Sequence, residues 1–133
     1  MLDTNIISYV KNDRYGVNKA FERHRDDRLF ISAITLAELE YGVFKSKSEK
    51  HNQEMISLML TNIDVLSFDE DAALEYGMIR SDLERKGTPI GSNDLLIAAH
   101  ARSRNMTLVT NNVREFGRVE GLNIENWIEE IRN

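Results

Sequence analysis

The sequence predicts an α/β sandwich built on a largely parallel sheet. Short apolar, β-prone runs alternate with segments of helical periodicity along the whole chain. Capping and breaking residues stand where the helices should begin and stop. Two strands also end alike: Leu2 gives way to Asp3-Thr4-Asn5, and Val109 gives way to Thr110-Asn111-Asn112. In open parallel sheets, sites form outside the carboxyl ends of the strands. The shared ending therefore bears on function as well as on fold.

Taken in order, Met1–Asp3 reads as the end of a strand, with Thr4-Asn5 as a turn or cap. Helices follow over about Ile6–Lys11 and Val17–Arg25. Leu29-Phe30-Ile31 is a β-prone run. Ser32 caps a helix through about Lys45, in which Ile34, Ala37, Tyr41 and Phe44 fall near helical spacing. The next helix, about Lys50–Thr61, carries Met55, Ile56, Leu58, Met59 and Leu60. Asp64–Phe68 reads as a strand and Glu70–Lys86 as a helix stopped by Gly87-Thr88-Pro89. Gly91-Ser92-Asn93 is a turn and cap before an apolar helix, Asp94–Ser103. Thr107–Val109 is a strand, and Glu125–Ile131 is a short terminal helix.

The length of 133 residues suits one domain, 1–133, and leaves no room for two. No apolar run is long enough to span a bilayer, and no basic and apolar leader opens the chain. The absence of cysteine excludes disulfides, thiolate zinc sites and cysteine nucleophiles, and it suits a reducing cytoplasm. The net charge of −5 is unusual for a nucleic-acid binder, whose affinity comes largely from Lys and Arg. Either the chain does not bind nucleic acid, or its acids hold cations that themselves meet phosphate.

Four acids are placed where acids are costly or conspicuous. Asp3 follows an apolar strand directly, where a carboxylate suffers desolvation unless a cation or donors meet it. Its ordinary alternative is a helix N-cap. Glu38 lies in Ile34-Thr35-Leu36-Ala37-Glu38-Leu39, one turn after Ile34 and nearly one turn before Tyr41, so it points with core-facing residues. The alternative is a Glu at the helix edge reaching water. Asp94 opens a helix too apolar for the surface, and the helix dipole alone would favour an acid there. Glu115 stands just past the last strand, where pairing with Arg114 or Arg118 is an equal alternative. Carboxylates gathered from separate elements repel unless cations neutralise them. An all-oxygen ligand set suits Mg²⁺ or Mn²⁺. Such a centre performs in-line attack on a phosphodiester, which resolves the charge conflict.

Four segments together resemble the PIN-domain toxins of the VapBC type. They are Met1-Leu-Asp3-Thr-Asn-Ile6, Ile31-Ser-Ala-Ile-Thr-Leu-Ala-Glu38-Leu-Glu-Tyr-Gly42, Gly87-Thr-Pro-Ile-Gly-Ser-Asn-Asp94-Leu-Leu-Ile-Ala98 and Leu108-Val-Thr-Asn-Asn-Val-Arg-Glu-Phe116. Each is weak alone, but their order and spacing run in register from Met1 to about Trp127. The resemblance implies a PIN-like three-layer α/β/α sandwich and a metal-dependent endoribonuclease using Mg²⁺ or Mn²⁺. It further implies a homodimer and a cognate antitoxin, with operator DNA met only through the antitoxin complex. Segments 87–91 and 110–116 are most like the subgroup that cuts transfer RNA, including the initiator type, in the anticodon loop. Carried over by position, Asp3, Glu38 and Asp94 fall on the family's acidic positions and are the implied metal ligands. Many relatives carry Asp where Asn112 stands, and Glu115 is the replacement charge. Thr4 and Asn5 resemble the supporting polar pair, and Thr110 is expected to hydrogen-bond a site carboxylate.

Other features are weaker. Arg80 and Arg114 are the arginines expected to touch RNA phosphate. Met55 and Met59 are either core or a groove for an antitoxin helix. His24, His51 and His100 lack metal spacing and read as surface or packing residues. A phosphotransfer fold would also set Asp after a first strand. It would want Asp at position 5 or a Lys soon after Val109, and neither is present. The remaining alternative is a catalytically idle PIN-like module that binds RNA or protein.

Overall fold

A computed structural model describes residues 1–132. The helices are α1 (Thr4–Val10), α2 (Val17–Arg23), α3 (Ala33–Lys45), α4 (Glu49–Met59), α5 (Glu70–Arg85), α6 (Ser92–Ser103), α7 (Val113–Phe116) and α8 (Trp127–Arg132), with a 3₁₀ turn at Arg14–Gly16. The strands are β1 (Leu29–Ser32), β2 (Ile63–Leu66), β3 (Leu108–Val109) and β4 (Ile124–Glu125). β1 pairs with β2 and β3 with β4, both parallel. Leu2 joins the two pairs. It bridges to Val109 in parallel, and its N–H donates to the Phe30 carbonyl at 2.8 Å. The spatial order is therefore β2, β1, the 1–3 segment, β3, β4; among the described residues the β1–β2, β3–β4 and Leu2–Val109 pairings are parallel, in keeping with the largely parallel sheet expected.

Period-two alternation sends neighbouring strand residues to opposite faces. Met1 and Leu108 pack with Ile79 and Leu83 of α5, Ile97 of α6 and Phe116 of α7. Leu2, Ile31, Ile63 and Val109 pack with Ile6 and Ile7 of α1, Val17 and Ala20 of α2, and Trp127 and Ile128 of α8. Two apolar cores on two faces of one sheet make the three-layer α/β/α sandwich. α3 crosses the sheet's end, since Ile34 joins the first core while Leu36 and Leu39 join the second.

Local signals fix several boundaries. The Ser32 side chain accepts from Ile34 N–H and caps α3, as expected. Gly87 ends α5 at φ +68°, with Thr88 N–H returning to the Leu83 carbonyl at 2.9 Å, a left-handed stop that favours glycine. α6 begins at Ser92 rather than Asp94, so Asp94 is its third residue. The terminal segment differs more. Glu125 belongs to β4, and the last helix starts only at Trp127. α7 and β4 were not expected from the sequence. The stripe at Ala37, Tyr41 and Phe44 is not core. All three are exposed, Tyr41 at 66 % and Phe44 at 67 %, because α3 buries its other side through Thr35 and Val43.

Candidate active site

Asp3 is 2 % exposed at the carboxyl end of the first strand segment. It occupies the N-cap position of α1, yet its side chain makes no capping bond. Thr110, at the matching end of β3, donates to Asp3 Oδ2 at 2.9 Å and itself accepts from Asn112 N–H at 2.9 Å. The parallel pairing of Leu2 with Val109 brings these two strand ends together. Burial raises the Asp3 pKa. Thr110 and the Thr4 backbone oppose that shift, and the nearby Glu38 charge adds to it.

Glu38 approaches these strand ends from the second turn of α3. Thr4 Oγ1 donates to Glu38 Oε1 at 2.7 Å and lies 3.2 Å from Thr35 Oγ1. A hydroxyl has one proton, so Thr35 is the donor in the second contact. Thr35 is fully buried one helical turn before Glu38. It escaped the sequence reading, although that i, i+3 spacing is its signal. Asn5 stays exposed and makes no hydrogen bond to an acid among the described residues, so its expected support is not seen as a contact.

Asp94 and Glu115 close the ring through Asn112. The Asn112 amide donates to Glu115 Oε2 at 2.7 Å and approaches Asp94 Oδ2 at 3.4 Å. Burial pushes the Asp94 pKa up to about 7, assisted by the bond to Glu115 and by the charges of Asp3, Glu115 and Glu38. Glu115 is shifted down, chiefly by the Asn112 amide, then by Asp94, with the Arg118 charge helping. The pair thus places its proton on Asp94 and its charge on Glu115. Arg118 is also anchored, donating to the Pro89 carbonyl at 2.9 Å. Its charge helps to lower the Glu115 pKa, while Arg114, on the same short helix as Glu115, is exposed. Arg80 donates to Glu84 at 2.9 Å and to Tyr76 at 3.0 Å beside the Pro89–Ser92 segment.

The four acids come from four separate elements and bear on one another electrostatically at the strand ends. Among the described residues, no three acidic or histidine side chains converge into a closed ligand cage. A magnesium site does not require one, since that ion keeps several waters and takes one or two carboxylates plus substrate phosphate. The donors are all oxygen, and Asp94, whose carboxyl burial holds in its protonated form toward neutrality, also feels the charges of Asp3, Glu115 and Glu38. Both features fit a hard divalent cation.

The PIN-domain family model matches residues 1–122. The chain is 45% identical over 130 residues to Ribonuclease VapC2 of Rickettsia felis, covering 96% of each chain. It is 43% identical over 128 residues to the tRNA(fMet)-specific endonuclease VapC of Salmonella typhimurium, again with 96% of each covered. Its fold superposes with a TM-score of 0.89 on a chain in the crystal structure of VapBC2 from Rickettsia felis bound to a DNA fragment from their promoter. The identity there is 43%, over 96% of this chain and 97% of that one. With this fold, this order of motifs and this level of identity, the chain belongs to the PIN-domain family, on its VapC ribonuclease branch.

Proposed function

We propose that this chain is the cytoplasmic ribonuclease toxin of a VapBC module, a Mg²⁺- or Mn²⁺-dependent endonuclease whose substrate is initiator transfer RNA. What supports the reading is that the charges of Asp3, Glu38 and Glu115 all bear on Asp94 at the strand ends. Asp3, Glu38 and Asp94 are the proposed cation ligands. When bound, the cation supplies positive charge against the phosphodiester and the attacking water. Thr110 and Thr4 orient the Asp3 and Glu38 carboxylates. Asn112 holds Asp94 and Glu115 side by side despite their repulsion. The ionised form of Asp94 would be favoured beside a cation, its proton passing to solvent, and Glu115, already shifted toward its charged form, would add its charge. The tRNA assignment draws on the name of the Salmonella relative and on segments 87–91 and 110–116.

The proposed partners follow the same relatives. A cognate antitoxin occupies the groove of about 170 Å³ between α1, α3 and α4, lined by Ile7, Leu39, Val43, Met55, Ile56 and Met59. Operator DNA is met through that complex, as the acidic balance of −5 suits a chain that does not bind DNA by itself. The toxin itself is a homodimer in this proposal. Asn112, standing where many relatives carry an acid, favours one competing reading, a catalytically idle binding module.

Incubation of the purified chain with initiator and elongator tRNAs separates the two. The expected result is cleavage of initiator tRNA with Mg²⁺ or Mn²⁺, leaving a 5′-phosphate and a 3′-hydroxyl. Asp94→Asn should lower the rate by about 10²- to 10⁴-fold, the range for loss of a positioned ionisable group, while the protein remains folded. Full activity in EDTA would reject the cation mechanism. No cleavage of any RNA would favour the idle module.

A further inference from the structure

We propose that His100 is a positioning residue of the acid site: its buried imidazole fastens α6, which carries Asp94, to the cap of α3, which carries Glu38, and so holds two proposed cation ligands at one spacing. The role rests on the reading of those two acids as ligands.

His100 is 0 % exposed on the inner side of α6, about 9 Å along the helix from Asp94 at 1.5 Å per residue. Its Nδ1 stands 2.7 Å from Ser32 Oγ. Ser32 ends β1 and caps α3, its Oγ accepting from Ile34 N–H at 3.0 Å. A hydroxyl has one proton and two lone pairs, so Ser32 serves the cap and the imidazole together. Thr35, also fully buried in the first turn of α3, meets Thr4, whose hydroxyl donates to Glu38. The path from the helix of Asp94 to the Glu38 carboxylate thus runs through His100, Ser32 and the start of α3. Among the described residues, no other side-chain hydrogen bond joins α6 to β1 or α3. Their remaining contact is apolar, with Ile34 packed against the core that holds Ile97. Apolar attraction has no direction, whereas a hydrogen bond fixes distance and angle.

Packing alone does not account for an imidazole here. The Phe68 ring meets it edge to face, with centroids 5.5 Å apart. Burial and the Arg104 charge lower the His100 pKa, against Asp69 and the Ser67 backbone, which favours the neutral ring. Nε2 is nevertheless buried without a hydrogen-bond partner of good geometry among the described residues, a cost that an apolar side chain would not carry. What the imidazole adds in return is the bond to Ser32.

The test is a Mn²⁺ titration of the full chain followed by electron paramagnetic resonance, with melting temperature measured on each variant. His100→Leu should weaken Mn²⁺ binding about tenfold, the lower end of the range for groups that orient metal ligands. His100→Asn sets an amide near the Nδ1 position, within reach of Ser32, and should bind Mn²⁺ as the parent does. His100→Gln sets its amide near the Nε2 position and should behave as His100→Leu; should the leucine variant not fold, the Asn and Gln pair carries the comparison. Ile97→Val removes a methylene from the same buried helix and should lower the melting temperature while leaving Mn²⁺ affinity unchanged. Ser32→Ala with His100→Leu should bind no more weakly than Ser32→Ala alone, since both remove one bond. Parental Mn²⁺ affinity in His100→Leu and His100→Gln would overturn the proposal, as would His100→Asn binding as weakly as they do. Equal weakening by Ile97→Val would also overturn it, because general loosening of the core would then suffice. If the parent binds Mn²⁺ saturably and the His100 variants are indifferent, only the positioning role falls. If the parent shows no saturable binding, the ligand reading falls and this role with it.

Discussion

Asp94 and Asn112 show how single residues set the chemistry. Asp94 was legible in the sequence because an acid opening a helix as apolar as Leu95–Ala101 is conspicuous, and Asp3 because it ends an apolar strand. Glu115 was not separable from an ordinary loop glutamate. Its significance comes from the Asn112 amide and from Arg118, contacts made only in three dimensions. Asn112 itself looked like a lost ligand, yet its donor group is what keeps two carboxyls adjacent. Replacing it with Ala should weaken Mn²⁺ binding by about 10- to 100-fold, as is usual for groups that orient metal ligands, measured by calorimetric titration. Asn112→Asp adds a fourth negative charge beside Asp94 and should raise its pKa further, read by NMR titration of the carboxyl carbon. Thr110→Val leaves the buried Asp3 without its side-chain donor. It should destabilise the protein by about 1–3 kcal/mol in denaturant unfolding, the cost of an unsatisfied buried polar group.

At the level of elements, the long helices were readable and the short ones were not. α3, α5 and α6 announce themselves by caps, stops and periodicity. α7 has only four residues, too few for a period, and forms because Gly117 lets the chain turn tightly against it. A Cβ on Gly117 would stand 2.6 Å from the Val113 carbonyl oxygen. Gly117→Ala should therefore displace α7 and with it Glu115. The expected signature is a loss of cleavage together with a lower melting temperature. β4 was hidden because its two residues are strands only by virtue of β3 beside them. α3 carries the main correction. Tyr41 and Phe44 fit a helical stripe, but periodicity does not say which side meets the core, and Thr35 with Val43 took that place.

Over the whole molecule, the fold gathers acids that repel, and stability should record it. Asp94 has a pKa near 7 in the folded chain against about 3.9 for an unfolded aspartate. A carboxyl with a raised folded pKa binds its proton more tightly when folded. Its stabilising contribution is present at low pH and is lost as pH rises from about 4 through about 7. Asp3 acts in the same direction. Glu115, shifted down, acts oppositely, and its contribution is lost only as pH falls below the ordinary glutamate range. His24 adds a separate decline. Burial pulls its pKa down, but Asp27 and Glu130 outweigh burial and raise it, so its contribution fades as pH rises through that raised value. The share carried by Asp94, read as the difference in melting temperature between the parent and Asp94→Asn without divalent cations, should therefore fall between pH 4 and pH 7, against the opposite trend of His100 and the Met1 amino group, whose lowered pKa values favour folding as pH rises. Mg²⁺ should restore the carboxylate part, and His24→Gln should remove only the histidine part.

The most direct test of the shared cation is a Mn²⁺ titration of the intact chain followed by electron paramagnetic resonance, repeated with Asp3→Asn and Asp94→Asn. Saturable binding at a defined site, weakened at least tenfold in each variant while both remain folded, is the predicted result. Absence of saturable binding, or binding that ignores both substitutions, would contradict it.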